Sequence, residues 1–126
     1  EADSSAGPSL IICYSPCIAH GVDLSNNSRP QDLAVASGHW PLFRYDPRRV
    51  EQGENPLHMD SKEPSIPYRD FVNTETRFSV LQRTHPEAAE RFLRQAQKRV
   101  KSRFFLYQQL AHLAVAHAEE KPETDE

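Results

Sequence analysis

A long stretch near the C-terminus, residues 87–117, constrains the fold most because it contains neither Gly nor Pro. Thr84, Pro86 and Glu87 predict the helix start, with a threonine cap, a proline in the first turn and a glutamate that completes the capping box. At about 1.5 Å per residue the helix reaches roughly 45 Å, so we expect it to lie across a surface that this chain does not supply. Apolar or small residues recur at steps of three or four and predict one buried stripe, formed by Ala89, Phe92, Ala96, Val100, Phe104, Tyr107, Leu110 and Ala114.

The composition indicates a segment of a larger protein rather than a self-sufficient domain. Apolar residues make up 37% of the 126 residues, below the usual value of about 45–50%. Nearly all of the ten prolines precede residue 87, which implies long irregular connections. We therefore predict that residues 1–118 form one segment that is marginally stable alone. Residues 119–126 are predicted to be a disordered acidic tail.

Charge and cysteine content exclude several classes of protein. The net charge of -3 predicts neither a nucleic-acid partner nor a membrane partner. Two cysteines four residues apart do not make a disulfide framework, and the N-terminal residues do not resemble a signal peptide. No apolar run approaches the roughly 20 residues that span a bilayer. The expected location is the cytoplasm or a comparable reducing compartment.

A short apolar run at residues 9–14 predicts a buried strand. The run lies between Pro8 and Pro16 and shows no polar alternation, which is typical of a strand that is covered on both faces. Cys13 belongs to the run and is predicted to be a buried, inert core residue. Pro16 ends the strand because it has no N–H to donate. Cys17 is therefore predicted on a loop at the carboxyl end of the strand, where open α/β sheets bind ligands.

Cys17 on such a loop has two interpretations from the residues alone. It is either a small buried side chain, as many free cysteines are, or it is a metal ligand, a cluster ligand or a nucleophile. Cys13 and Cys17 would share a strand face at roughly 13 Å, and the chain has no C-x-x-C pair. This chain therefore cannot close a zinc or iron–sulfur site by itself. Its six histidines are scattered, and it has no Gly-rich phosphate loop.

The middle of the chain predicts short elements with long connections. Trp40 is predicted to be a packing residue, and Lys62 and Glu63 are interpreted as solvated turn charges rather than catalytic groups. The predicted elements are a helix at residues 29–37 that stops at Gly38, a short strand in 39–45 that pairs through 42–45 with a strand at 57–59, a loop at 46–56, and helical turns at 68–74 and 76–83.

Four segments in a fixed order carry a resemblance to a known family. They are YSPCIAHG, SGHWPLFRYDP, NPLHMDSKEP and the proline-started long helix. Together they resemble the end of the thiamine-diphosphate-binding domain of pyruvate:ferredoxin (flavodoxin) oxidoreductases, over about residues 7–113. The resemblance implies an α/β fold class, as a fragment of a thiamine-diphosphate-binding fold with one buried strand, a short hairpin and a long C-terminal helix. It also implies that Cys17 is the last of four thiolates that hold the [4Fe–4S] cluster nearest the thiamine.

The resemblance further implies the function of the whole enzyme. That function is oxidative decarboxylation of pyruvate with CoA to acetyl-CoA and CO2, with electrons passing through iron–sulfur clusters to ferredoxin or flavodoxin. Thiamine diphosphate and Mg²⁺ would be bound outside this chain, which lacks the Gly-Asp-Gly motif. The segment alone would be inactive, and its partners would be the rest of the enzyme, in a homodimer. Ser15, Pro16 and the backbone of 18–21 would shape the cluster surroundings.

Two alternatives remain at this point. One is a related enzyme that acts on another 2-oxoacid, or one that is fused to an NADP-reducing domain. The other is a non-enzymatic interaction module whose amphipathic helix docks in the groove of a partner. The module hypothesis accounts for the long helix but leaves YSPCIAHG and WPLFRY without a reason.

Overall fold

The computed structural model describes residues 2–15, 25 and 28–114. Helices dominate this part of the chain, beside one two-stranded sheet. None of the helices in the described ranges combines the length and the apolar character that a membrane span requires. In chain order the elements are α1 (Ser28–Ala36), β1 (Phe43–Tyr45), β2 (Leu57–Met59), α2 (Tyr68–Val72), α3 (Thr76–Thr84) and α4 (Pro86–Ala111), with short 3₁₀ helices at Ala2–Ser4 and Pro47–Gln52.

The long helix α4 is continuous over its 26 residues, and it starts at Pro86 as predicted. The prediction that it extends to residue 117 is wrong, because α4 ends at Ala111. The Asn55 side chain donates from Nδ2 to the carbonyl oxygens of Leu110 at 2.8 Å and Leu113 at 2.9 Å. These carbonyls would otherwise bond to the next helical turn. A side chain from a distant loop therefore takes the place of that turn.

The predicted apolar stripe of α4 is correct at Ala89, Val100 and Phe104, which are buried. It is wrong at Leu110, which is 38% exposed, and at Ala114, which lies beyond α4. It is also wrong at Phe92, whose side chain is 48% exposed and lies beside the Arg91 guanidinium, 5.2 Å from the ring centroid. A step of four residues drifts by about 40° around a helix of 3.6 residues per turn. Two such steps from Val100 take position 92 off the centre of the buried face. Leu93 packs against the core instead.

A small core forms where α1, α2 and α4 meet. Phe71 and Val72 of α2 point inward as predicted, and Ala34 of α1 is fully buried. The cluster consists of Ala34, Tyr68, Phe71, Val72 and Val100, with Tyr14, Leu33, Trp40, Phe78, Leu93 and Ala96 packed around it. Trp40 is partly buried against this cluster, which confirms its predicted packing role.

Gly38 ends α1, as predicted. Its φ of 73° lies in the left-handed region, and its N–H donates to the carbonyl oxygen of Val35 at 2.9 Å. A Cβ at this position would lie 2.7 Å from Cγ of Pro64. Both the backbone conformation and the close approach of Pro64 therefore favour glycine here.

The predicted hairpin is confirmed. Strand β1 pairs antiparallel with β2, with Arg44 opposite His58 at the centre of the register. The connection at residues 46–56 is not a plain loop as predicted, because Pro47–Gln52 form a 3₁₀ helix. The Asp46 carboxylate caps this helix by accepting from the backbone N–H of Arg48 at 3.1 Å. The cap and Pro47 supply the helix start that the prediction missed.

The predicted buried strand at residues 9–14 is wrong for this chain. Leu10, Ile11 and Ile12 are 84%, 72% and 67% exposed, and Cys13, predicted to be buried, is also exposed. The physical reason is that a strand needs a neighbour, and the sheet in the described residues contains only β1 and β2. The observed mixture of helices and a small sheet is consistent with an α/β fragment. Cys17 and the predicted tail at 119–126 lie outside the described residues.

Candidate functional site

Tyr14, at the end of the apolar run, packs against the rest of the described structure. Its ring centroid lies 5.8 Å from that of Trp40, 6.1 Å from that of His39 and 6.2 Å from that of Phe71. Its hydroxyl donates a hydrogen bond to the carboxylate of Glu75, a residue that is only 2% exposed. Tyr14 therefore fixes the backbone just before the segment that contains Cys17.

The rings around Tyr14 form one aromatic cluster, which we define as Tyr14, His39, Trp40, Tyr68 and Phe71. His39 stacks on Phe71 with a centroid distance of 4.6 Å and on Tyr68 at 5.4 Å. The turn after α1 positions His39 and Trp40, because the Trp40 N–H donates to the carbonyl oxygen of Ala34 at 2.9 Å. Ring pairs at such distances add to the stability gained from burial. The other rings of the aromatic cluster therefore form a packed base for Tyr14.

Hydrogen bonds join the aromatic cluster to α4. The Tyr68 N–H donates to Oε1 of Gln97 at 2.8 Å, and the Arg103 guanidinium donates to the carbonyl oxygen of His39. Next to Tyr68, Arg69 makes a two-pronged contact with the Glu90 carboxylate at 2.7 and 2.8 Å. The long helix therefore holds both sides of the aromatic cluster.

The described residues contain one thiol, that of Cys13. No group of three or more His, Cys, Asp or Glu side chains in the described ranges could hold a metal ion. An iron–sulfur cluster of the predicted kind needs four thiolates, so the described part of the chain does not form one. The predicted ligand Cys17 follows Tyr14 by three residues.

Charged residues of the hairpin are structural. Arg44 contacts both carboxylate oxygens of Asp60, through Nε at 2.9 Å and Nη2 at 2.7 Å, and this hydrogen bonding lowers the pKa of Asp60. The hydrogen bond from the Arg48 side chain is the main cause that lowers the pKa of Asp46 to about 2. Lys62, interpreted as a turn charge, is exposed. These contacts stabilise turns rather than assemble acid and base groups.

The pairing of Tyr14 with Glu75 was missed from the sequence. Sixty-one positions separate the two residues, and no periodic pattern connects them. The only signal was that Tyr14 carries a hydroxyl at the end of an apolar run, where a buried phenol requires a hydrogen-bond partner. The carboxylate that supplies this partner lies in the turn between α2 and α3.

No protein-family model matches the chain. It is 47% identical over 111 residues to the pyruvate-flavodoxin oxidoreductase of Trichormus variabilis, covering 88% of this chain and 9% of that protein. It is 41% identical over 111 residues to the pyruvate:ferredoxin oxidoreductase of Moorella thermoacetica, covering 88% and 10%. It is also 34% identical over 112 residues to the mitochondrial NADP(+) pyruvate dehydrogenase of Euglena gracilis, covering 87% and 6%. The chain thus spans a tenth or less of the length of these relatives.

Proposed function

Because this chain belongs, as a short segment, to the pyruvate:flavodoxin and pyruvate:ferredoxin oxidoreductase family, we propose that it serves the oxidative decarboxylation of pyruvate. The whole enzyme converts pyruvate and CoA to acetyl-CoA and CO2 and passes the electrons to flavodoxin or ferredoxin. The similarity over 88% of the chain is the observation that carries this proposal. It favours part of an enzyme over a non-enzymatic helix-docking module.

We propose that the contribution of this segment is the Cys17 thiolate, as one of four ligands of a [4Fe–4S] cluster. The rest of the polypeptide supplies the other three ligands and binds thiamine diphosphate and Mg²⁺. This segment is then part of the thiamine-diphosphate-binding domain and is inactive alone. We further propose that the full enzyme is a homodimer. Its proposed location is the cytoplasm or another reducing compartment, in which thiolate ligands stay reduced.

The aromatic cluster supports the proposed role of Cys17. A cluster that transfers electrons requires ligands held in a fixed position, and surrounding contacts of the ligands tune its potential. Tyr14 is held by three rings and by Glu75. The backbone three residues before Cys17 is therefore held in a defined position.

The electron acceptor has two candidates. Flavodoxin or ferredoxin is favoured because each is named in a relative of more than 40% identity. An NADP-reducing enzyme is the second candidate, because the relative from Euglena gracilis is named for NADP(+). Pyruvate is part of all three names, which favours it over other 2-oxoacids.

The test compares two substitutions in the longer enzyme, Cys17→Ala and Cys13→Ala. We expect Cys17→Ala to lower the iron content, to alter the low-temperature spin-resonance signal of the reduced protein and to slow carrier reduction. Cys13→Ala is the matched control and is expected to keep its full iron content. Full iron content and normal carrier reduction in Cys17→Ala would refute the ligand assignment.

A further inference from the structure

The long helix α4 carries a stripe of positive charge on its exposed surface. Four cationic residues follow one another at steps of three or four positions, so they share one face of the helix, and all four are exposed. Ten positions separate the first from the last, which corresponds to about 15 Å along the helix axis. We define the basic stripe as these four residues: Arg91, Arg94, Lys98 and Lys101.

The described residues neutralise little of the basic stripe. Arg94 lies 3.5 Å from the Glu90 carboxylate, but that carboxylate already contacts Arg69 at 2.7 Å. Within the described ranges, neither Lys98 nor Lys101 forms an ion pair. Over its whole length α4 contains six cationic residues and two glutamates, an excess of four positive charges. The basic stripe is therefore a surface that attracts an anionic partner.

A segment of the same chain carries the opposite charge in equal amount. Residues 119–126, EEKPETDE, contain five carboxylates and one lysine, an excess of four negative charges. Residue 126 lies twelve positions after Ala114, the last described residue, and twelve extended residues span about 40 Å. Arg91 lies twenty positions before the end of α4, which is about 30 Å along the helix. The acidic segment (residues 119–126) can therefore reach the whole basic stripe.

We propose that the acidic segment binds along the basic stripe of the same chain, through ion pairs between its carboxylates and the four cations. A short covalent connection gives the acidic segment an effective concentration in the millimolar range, which favours it over a separate acidic protein. A single exposed ion pair is weak, so the binding requires several pairs together. While bound, the acidic segment screens the positive charge of α4 from other acidic surfaces.

The experiment is carbodiimide cross-linking of the longer enzyme, which joins a carboxylate to a lysine amine as an amide where the two groups are in contact. We expect peptides in which Lys98 or Lys101 is joined to an acid of residues 119–126. Their yield should fall at least about fivefold between about 50 and 500 mM salt, because salt screens exposed charges. A yield that does not change with salt would contradict the proposed ion pairs.

The identity of the cross-linked partner separates the other possible occupants. The absence of a cross-link to residues 119–126 would overturn the proposal, whether the two lysines are joined to another part of the enzyme, to an added acidic electron carrier, or to nothing. If the species that carries the expected cross-link has twice the polypeptide mass on a denaturing gel, the acidic segment binds a second copy, and the assignment to the same chain is wrong.

A pair of variants of the longer enzyme gives a second readout, the rate at which Lys98 is acetylated at low salt. The tail variant removes three charges of the acidic segment: Glu120→Gln, Glu123→Gln and Glu126→Gln. It should raise that rate severalfold, because an amine held in ion pairs reacts slowly. The matched control neutralises three exposed acids on other elements and should leave the rate unchanged: Asp3→Asn, Asp32→Asn and Glu51→Gln. An equal rate in the tail variant and the control would contradict the proposal, which does not depend on Cys17.

Discussion

Removal of one hydroxyl should weaken the attachment of the N-terminal segment to the core. Tyr14→Phe keeps the ring, and with it the contacts to Trp40, His39 and Phe71. It deletes the hydrogen bond from the Tyr14 hydroxyl to the carboxylate of Glu75. Because Glu75 is 2% exposed, its carboxylate cannot recover the lost bond from bulk water.

The magnitude follows from the burial of Glu75. A buried acceptor that loses a hydrogen-bond donor costs about 1–3 kcal/mol, so Tyr14→Phe should lower the free energy of unfolding by that amount. A chain of this length has a total of roughly 6–19 kcal/mol at about 0.05–0.15 kcal/mol per residue. The small core places this chain below that range, so the loss is a substantial fraction of its stability. Tyr14→Ala should lower the free energy of unfolding further, because each lost ring pair adds about 0.5–1.5 kcal/mol.

The assay uses the single tryptophan of the chain, which lies 5.8 Å from the Tyr14 ring. Urea unfolding followed by Trp40 fluorescence, in sucrose to strengthen burial, gives the free energy of unfolding. Tyr45→Phe is the matched control, since Tyr45 is 64% exposed on β1; it should change the free energy by less than about 0.5 kcal/mol. A Tyr14→Phe effect no larger than that of Tyr45→Phe would refute the role assigned to the hydroxyl.

Three further predictions concern the chain by itself. Without a sucrose supplement, the isolated chain should lack a cooperative thermal transition in the range of about 45–65 °C usual for mesophilic domains; calorimetry of a monomer that melts there would contradict this. Gly38→Ala should destabilise the chain by more than about 1 kcal/mol, because φ is 73° and Pro64 lies close, whereas Gly7→Ala, with no atom within 4 Å, should be nearly neutral. The carboxyl of Asp46 has a pKa of about 2, below its ordinary 3.8, so its contribution to stability is complete above about pH 4 and is lost as the pH falls through 2. Arg48→Gln should raise this pKa in an NMR titration, and a wild-type Asp46 that titrates near 3.8 would argue against the contact.

Local signals in the sequence predicted the elements whose causes are local. Pro86 with its preceding threonine predicted the start of α4, and Gly38 predicted the end of α1. The pairing of the two hairpin strands followed from two short apolar runs around a polar connection. In each of these cases the physical cause lies within a few residues of its effect.

Features that depend on distant residues could not be predicted in this way. Helix α4 ends at Ala111 because Asn55, more than fifty positions earlier, bonds to the carbonyls of Leu110 and Leu113. Phe92 is exposed because the burial of Leu93 decides which face of α4 meets the core. The exposure of residues 10–13 depends on whether a neighbouring strand is present, which no local pattern can indicate.

The candidate site likewise has one part that the sequence could predict and one part that it could not. The resemblance to a known family identified Cys17 as the predicted ligand. The similarity over 88% of the chain supports membership of the same enzyme family. The contacts that hold Tyr14 come from α2, the turn after α1 and Glu75, and they became visible only in three dimensions. Cys17 thus stays a prediction from the sequence, whereas the structure added the residues that position the backbone before it.

The most direct measurement of the central claim is a high-resolution structure of the longer enzyme with its iron–sulfur clusters bound. We expect continuous density from Sγ of Cys17 to an iron atom of the cluster nearest the thiamine. Cys13 should then make no contact to iron. A structure in which the Cys17 sulfur lies away from every cluster, while four other thiolates complete that nearest cluster, would contradict the account.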